Sequence, residues 1–244
     1  MADSANRIQF EFILNLTILI GIVMCVTAYK LSHTFVPYLH NFRYLEDIQW
    51  KTGDIVLFHS NPAINFVLSS VWSHVALVIV PKRPQNSQPF MLDITSSTRT
   101  PAVRPLLPIL MKEFWTSTRT VAYRSIAHSL DNDTIATYLQ TNTLLYNHHY
   151  WKVVFNRLFG SFFMQFDKTG ERTTFCSELI HDTLLYCSAV KDTHRKVPLP
   201  GDFCENGDEP VELLDNMWSD TVMLKLRSTQ CKNHVTRANY MFSR

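Results

Sequence analysis

Cys176 opens the run Cys-Ser-Glu-Leu-Ile-His-Asp-Thr-Leu-Leu-Tyr-Cys, whose apolar spacing is helical. Leu179, Ile180, Thr183 and Leu184 share its face at i+3, i+4, i+7 and i+8. The predicted helix spans about residues 174–189, with Thr173 or Thr174 as N-cap. A cysteine in a first turn meets unpaired backbone N–H groups and the positive end of the helix dipole, and both favour the thiolate. That placement lowers a thiol pKa and makes the sulfur a nucleophile. The competing expectation is a small buried apolar side chain, the ordinary fate of a free cysteine. Cys187 shares the face three turns on, but not the helix start.

A nucleophilic thiolate needs a base within hydrogen-bond reach, and the base needs a third group to fix its tautomer. Among ten histidines, His74 stands out because it opens the β-branched run His74-Val-Ala-Leu-Val-Ile-Val80. Asp93 lies in Phe90-Met-Leu-Asp-Ile-Thr95, where a carboxylate among apolar neighbours must find a partner or bear a large desolvation cost. If the two runs pair as a hairpin across loop 81–89, Asp93 comes beside His74 and orients its ring. The predicted catalytic set is therefore Cys176, His74 and Asp93. A satisfied structural histidine and a strand-end aspartate form the alternative.

Other chemistries find less support. His148-His149 and His181 do not match zinc spacing, and neither Cys-x-x-Cys nor His-Glu-x-x-His occurs, so no metal is expected. No glycine-rich phosphate loop exists, and no cofactor is implied. The net charge is +2 without a long Lys/Arg run, which leaves no electrostatic footprint for nucleic acid.

These residues need a scaffold, and 244 residues at 46% hydrophobic and 18% charged are ample for one large domain. Thr52-Gly53-Asp54 is a turn leading into the apolar strand Ile-Val-Leu-Phe-His. Residues 62–71 have helical spacing, and strands are expected at 74–80, 90–95 and 120–126. A helix from about Asp131 to Tyr146, capped by Asp131 or Asn132, follows. Residues 194–210 read as loop, and 211–226 as a short helix and a last strand. Strands clustered centrally between helices argue for an α+β fold with a central antiparallel sheet.

One segment stands apart. Phe12 to Tyr29 is eighteen residues without a charge, about 27 Å of helix and close to the thickness of a thin bilayer. A buried core helix and a cleaved signal peptide are the alternatives; the run is longer than a usual signal core and no small-x-small site follows. The expected organisation is a tail at 1–11, a transmembrane anchor at 12–31 contacting the lipid bilayer, a linker at 32–49, a catalytic domain at 50–226 and a tail at 227–244. Lys30, Arg43 and Lys51 outnumber Arg7 on the other side, which favours a single-pass protein with a cytoplasmic domain. The odd set of Cys25, Cys176, Cys187, Cys204 and Cys231 agrees with free thiols in a reducing compartment. Asn132-Asp133-Thr134 is a glycosylation acceptor that would matter only in a lumenal domain.

Thr52-Gly53-Asp54-Ile-Val-Leu-Phe, Ser73-His74-Val-Ala-Leu-Val and Phe175-Cys176-Ser177-Glu178-Leu179-Ile180 occur in that order, with 102 residues from His74 to Cys176. Together they resemble the circularly permuted papain-like (NlpC-type) thiol hydrolases: YiiX-type bacterial proteins, their poxviral relatives and, more distantly, lecithin retinol acyltransferase. Pro-Leu-Pro-Gly-Asp-Phe at 198–203 is similar to the family's closing Pro-x-Asp segment. The resemblance covers about residues 50–226 and is marked by histidine preceding cysteine. It implies Cys176 as nucleophile, His74 as base and Asp93 where the family has a polar orienter, often Glu. It also implies a cysteine hydrolase or acyltransferase acting on amide, ester or thioester bonds of peptide, lipid or other acyl substrates. The Asn147-His-His-Tyr150-Trp151 stretch matches the family's Gly-x-x-Tyr-Asp-like motif only in part. A catalytically inactive, membrane-tethered binding module of the same fold is the rival from another functional class, and poxvirus-like relatives make a viral origin conceivable.

Overall fold

Side chains alternate across a strand, so a run apolar at every position must be buried on both faces. Ile55-Val-Leu-Phe and Val75-Ala-Leu-Val are such runs, and every one of these residues is buried. Ile55, Leu57, Val75 and Leu77 join one core cluster, whereas Val56, Phe58, Ala76 and Val78 join a second on the opposite side. A sheet with a core on each face is the result.

The computed structural model describes Asn15, Thr17, Ile18, Gly21 and residues 41–59, 71–82, 88–115, 120–146, 172–191, 198–205, 210–212, 214 and 217–227. Its elements are β1 (Phe42–Tyr44), β2 (Ile55–His59), β3 (His74–Ile79), β4 (Phe90–Asp93), β5 (Ala102–Pro105), α1 (Leu106–Trp115), β6 (Thr120–Arg124), α2 (Asn132–Thr141), β7 (Leu144–Tyr146), β8 (Arg172–Thr174), α3 (Cys176–Tyr186) and β9 (Val222–Lys225). The main sheet has seven strands in the order β1-β9-β6-β2-β3-β4-β5. All its pairs are antiparallel except β1 with β9. Ile135 and Tyr138 of α2 and Leu179, Ile180 and Leu184 of α3 fill the first core; Leu106 and Leu110 of α1 fill the second. The mixed α+β class with a central antiparallel sheet is therefore observed.

Several local expectations shift. The helix starting at Asp131 stops at Thr141, where Asn142 Nδ2 donates to the Tyr138 carbonyl at 2.8 Å. Leu144–Tyr146 leaves the helix to pair in parallel with β8, so long-range pairing overrides the helical pattern there. Strand β1 lies inside the stretch expected to be a linker, and its pairing with β9 starts the sheet at Phe42 rather than residue 50. Asp131 is the N-cap, accepting from Thr134 N–H at 2.9 Å. Asn132 donates through Nδ2 to the Val80 carbonyl and accepts from Thr52 Oγ1, which ties the start of α2 to β3 and to the turn before β2. Among the described residues of 211–227 there is a strand and no helix. The helix expected over 62–71 falls outside the described residues, apart from Val71. The expected anchor at 12–31 likewise lies outside them, except for Asn15, Thr17, Ile18 and Gly21. Among the described residues no helix is long and apolar enough to cross a membrane.

The turn before β2 anchors the sheet's centre. Gly53 has φ of +105°, and a Cβ there would approach Leu130 Cγ to 2.8 Å, so both conformation and space require glycine. Asp54 is fully buried and accepts from Ile126 N–H, Lys51 N–H, Tyr123 Oη and Ser125 Oγ. Burial lifts its carboxyl above the ordinary value, although all four donors oppose the rise. Asp54→Ala would strand several of these donors, and losing them costs roughly 3 kcal/mol. Urea denaturation at pH 7 should show that loss. A change below about 1 kcal/mol, the worth of one ordinary hydrogen bond, would mean that Asp54 does not organise this turn.

Candidate active site

Cys176 is placed by two devices. The parallel pairing of Thr174 with Tyr146 ends β8, and Phe175 then turns the chain with extended backbone (φ −106°, ψ 170°) into α3. Phe175, not Thr173 or Thr174, is the N-cap, because both threonines are committed to β8. No side chain caps the helix. The Ser177 N–H of the first turn is instead directed at the Cys176 sulfur. At the far end, Ser188 takes a left-handed φ of 54°, with Ala189 N–H on the Leu184 carbonyl and Ser188 N–H on that of Leu185. This Schellman closure stops the helix short of the expected residue 189.

The hairpin of β3 and β4 brings the other two residues together. Its register sets Leu77 opposite Leu92 and Val78 opposite Met91. Carried on, it puts Ala76 opposite Asp93, with His74 on the diagonal and on the same face. Two small residues, Ala76 and Ala102, flank Asp93 and leave room for longer diagonal neighbours. His74 Nε2 donates to Asp93 Oδ2 at 3.0 Å. The ring's Nδ1 is then the nitrogen available to the Cys176 sulfur, to which His74 is hydrogen-bonded. The Phe58 ring packs beside the imidazole at 5.7 Å between centroids. All three predicted residues thus meet at one place.

A fourth residue joins them. Arg104 on β5 donates through Nε to Asp93 Oδ1 at 3.1 Å and through Nη2 to Asp93 Oδ2. Side-chain exposure is 20% at His74, zero at Asp93 and 34% at Arg104, so the carboxylate is sealed between two partly open cations. Sequence reasoning missed Arg104 because Ala-Val-Arg-Pro is too short and too polar to announce a strand. Two arginines downstream of the buried aspartate, Arg99 and Arg104, are the only signal, and order alone does not choose between them.

Electrostatics follow from this chain of contacts. Burial pushes the Cys176 thiol up; the charge and hydrogen bond of His74, with backbone N–H groups of Val75 and Ser177, overcome it and hold the thiol below its ordinary value. Burial likewise pushes His74 down, but Cys176 and Asp93 reverse the effect and lift the ring to about 10. Asp93 is lowered against its own burial by His74 and Arg104. Each shift favours the charged form of its group, so thiolate, imidazolium and carboxylate alternate in sign, with the Arg104 guanidinium behind them. Cys187 and Cys204 contrast with it, since burial pushes both up to about 11.

His148, His149 and the 147–151 stretch lie outside the described residues. Among the described residues no group of three or more His, Cys, Asp or Glu is placed to hold a metal ion. His181 is buried on α3 with Nδ1 3.5 Å from Asp182, away from any such group.

Comparison with protein-family models finds no match, and none of the curated proteins matches either. Among solved structures, the metalloprotein YiiX from Escherichia coli O157:H7 is similar, with a TM-score of 0.35 and 14% sequence identity. The similarity covers 74% of this chain and 99% of that one.

Proposed function

We propose that this protein is a cysteine hydrolase or acyltransferase of permuted papain-like architecture, with Cys176 as nucleophile, His74 as base and acid, and Asp93 as the group orienting His74. The observation that carries the reading is the convergence of a helix-start cysteine, a histidine and a buried carboxylate, drawn from α3, β3 and β4. In this mechanism the Cys176 thiolate attacks the carbonyl carbon of an amide, ester or thioester, and the carbonyl electrons move onto oxygen. First-turn N–H groups, that of Cys176 foremost, stabilise the oxyanion. Collapse breaks the bond to the leaving group, which takes the His74 proton, and an acyl-thioester remains on Cys176. Water or another acceptor then gives its proton to His74 and attacks the acyl carbon, expelling the thiolate. The uncharged run from Phe12 to Tyr29 supports action at a bilayer, on lipid, lipid-modified or peptide substrates near its surface.

Alkylation by a haloacetamide across pH 4–10, with sites mapped by mass spectrometry, tests the nucleophile. Cys176 is expected to react at pH 6 at least about tenfold faster than Cys187 and Cys204, whose thiolates are scarce there. His74→Ala should abolish that low-pH reactivity. Uniformly slow thiols in a folded protein would leave a non-catalytic binding module as the better reading.

The same ion pair has a stability signature. An unfolded chain carries His near 6.5 and Cys near 9.0. The raised His74 contributes stability that is present below 6.5 and lost as pH rises toward 10; the lowered Cys176 contributes stability that grows as pH rises toward 9. Up to about pH 9 the two slopes oppose each other, because His74 loses its contribution while Cys176 gains its own. Above about 9 both groups of the unfolded chain have lost their protons while folded His74 keeps one up to about 10, so the unfolding free energy of wild type minus that of Cys176→Ala/His74→Ala should fall there. A difference flat across pH 4–10 would mean that both groups titrate as in the unfolded chain and that no ion pair exists.

A further inference from the structure

We propose that Arg104 is a positioning residue of this site: its guanidinium fork fixes the place and charge of Asp93, which in turn holds the imidazole toward Cys176. The inference rests on the Cys176–His74 reading and extends it by one residue.

A single carboxylate oxygen contacts both sides of the chain. Asp93 Oδ2 accepts from His74 Nε2 at 3.0 Å and also from Arg104 Nη2, while Oδ1 takes Arg104 Nε at 3.1 Å. Two donors from one planar fork set both the rotation and the depth of the carboxylate, which a point contact from histidine alone does not. The register makes this possible. Arg104 pairs with Met91 and Ala102 with Asp93, so Arg104 reaches Asp93 on the diagonal, just as His74 does from the opposite strand.

Charge count gives the second argument. Among the described residues, the ionised groups facing Asp93 are His74 from β3 and Arg104 from β5, with Cys176 of α3 beyond His74. Without Arg104 the buried set of thiolate, imidazolium and carboxylate carries a net negative charge. With it the set is neutral, and unbalanced buried charge is what a protein interior tolerates least. Arg104 is one-third exposed, so its own charge keeps some hydration while its fork serves a sealed carboxylate.

An opposite charge at this range lowers a carboxyl pKa by about 1–3 units, so removing Arg104 lets Asp93 take up a proton at higher pH. The protonated acid no longer supports the imidazolium, and the thiolate is lost with it. The experiment is the pH profile of Cys176 alkylation in full-length wild type, Arg104→Met, Arg104→Lys, Asp93→Asn and Asp93→Asn/Arg104→Met, with folding checked by circular dichroism. Arg104→Met should move the acid limb upward by about one pH unit or more. Arg104→Lys, which keeps the charge but loses the fork, should move it less, and it carries the test if the methionine variant does not fold. The double variant should have the same midpoint as Asp93→Asn alone, because Arg104 acts only through that carboxylate. If wild type reacts at low pH and the folded Arg104 variants share its acid limb, or if the double variant shifts further than Asp93→Asn, the role assigned to Arg104 is wrong. If wild type itself lacks low-pH reactivity, the nucleophile assignment fails and takes this inference with it.

Discussion

A carboxylate with no solvent exposure at the end of a sheet strand has to be neutralised where it stands, and Asp93 sets that constraint for everything around it. Its strand neighbours must be small, and Ala76 and Ala102 are. Its diagonal neighbours must be long and cationic, and His74 and Arg104 are. Slipping either register by one residue would turn the aspartate to the opposite face, away from both partners. The antiparallel order β3-β4-β5 is thus fixed by charge at one end of the hairpin as firmly as by the apolar Leu77–Leu92 and Val78–Met91 pairs at the other.

The scaffold keeps that register from slipping. Burial on both faces of β2 and β3 penalises any movement twice, once in each core. On the first face α3 lies against β3, and this packing carries the uncapped helix start toward the histidine. Leu179, Ile180 and Leu184 are fully buried, so the position of the sulfur is inherited from side chains one and two turns further along. At the opposite end of β2, Gly53 and Asp54 tie the turn to Ile126 and Tyr123 of the neighbouring chain segment. Asp54 and Asp93 both lie at strand ends, Asp54 just before β2 and Asp93 closing β4.

Much of this was legible in residue order. The β-branched run after His74, the lone aspartate in Phe90-Met-Leu-Asp and the helical spacing after Cys176 each came from a short periodic signal, and each is realised at nearly the expected bounds. The losses share a cause. Strands β1, β5, β7 and β8 are three or four residues long and exist through pairing with distant segments, so no local pattern specifies them. β7 even carries the tail of a helical pattern, which its partner β8 overrides. Because β5 was invisible, so was Arg104; because β8 was invisible, two threonines looked like caps for a helix whose N-cap is Phe175. The α1 helix was hidden by Pro108 and by an apolar surface nearly all round, which leaves no clear polar face.

Three described cysteines share the effect of burial and differ in what opposes it. Burial raises the thiol at Cys176, Cys187 and Cys204 alike, and it is the largest influence at each. Cys204 has the cation of Arg124 near it, yet Arg124 is already committed to the carbonyls of Phe203 and Ser219, and Glu205 opposes it. Cys187 caps the C-terminal end of α3, where the dipole disfavours negative charge, and Asp131 adds to that. Cys176 alone joins the positive helix end to a histidine whose charge is secured from behind. The same low dielectric that makes an uncompensated thiolate costly makes a compensated one strongly bound to its partner. Selectivity among the thiols then depends on the counter-charge, and the counter-charge depends on the strand register that brings Asp93 and Arg104 behind His74.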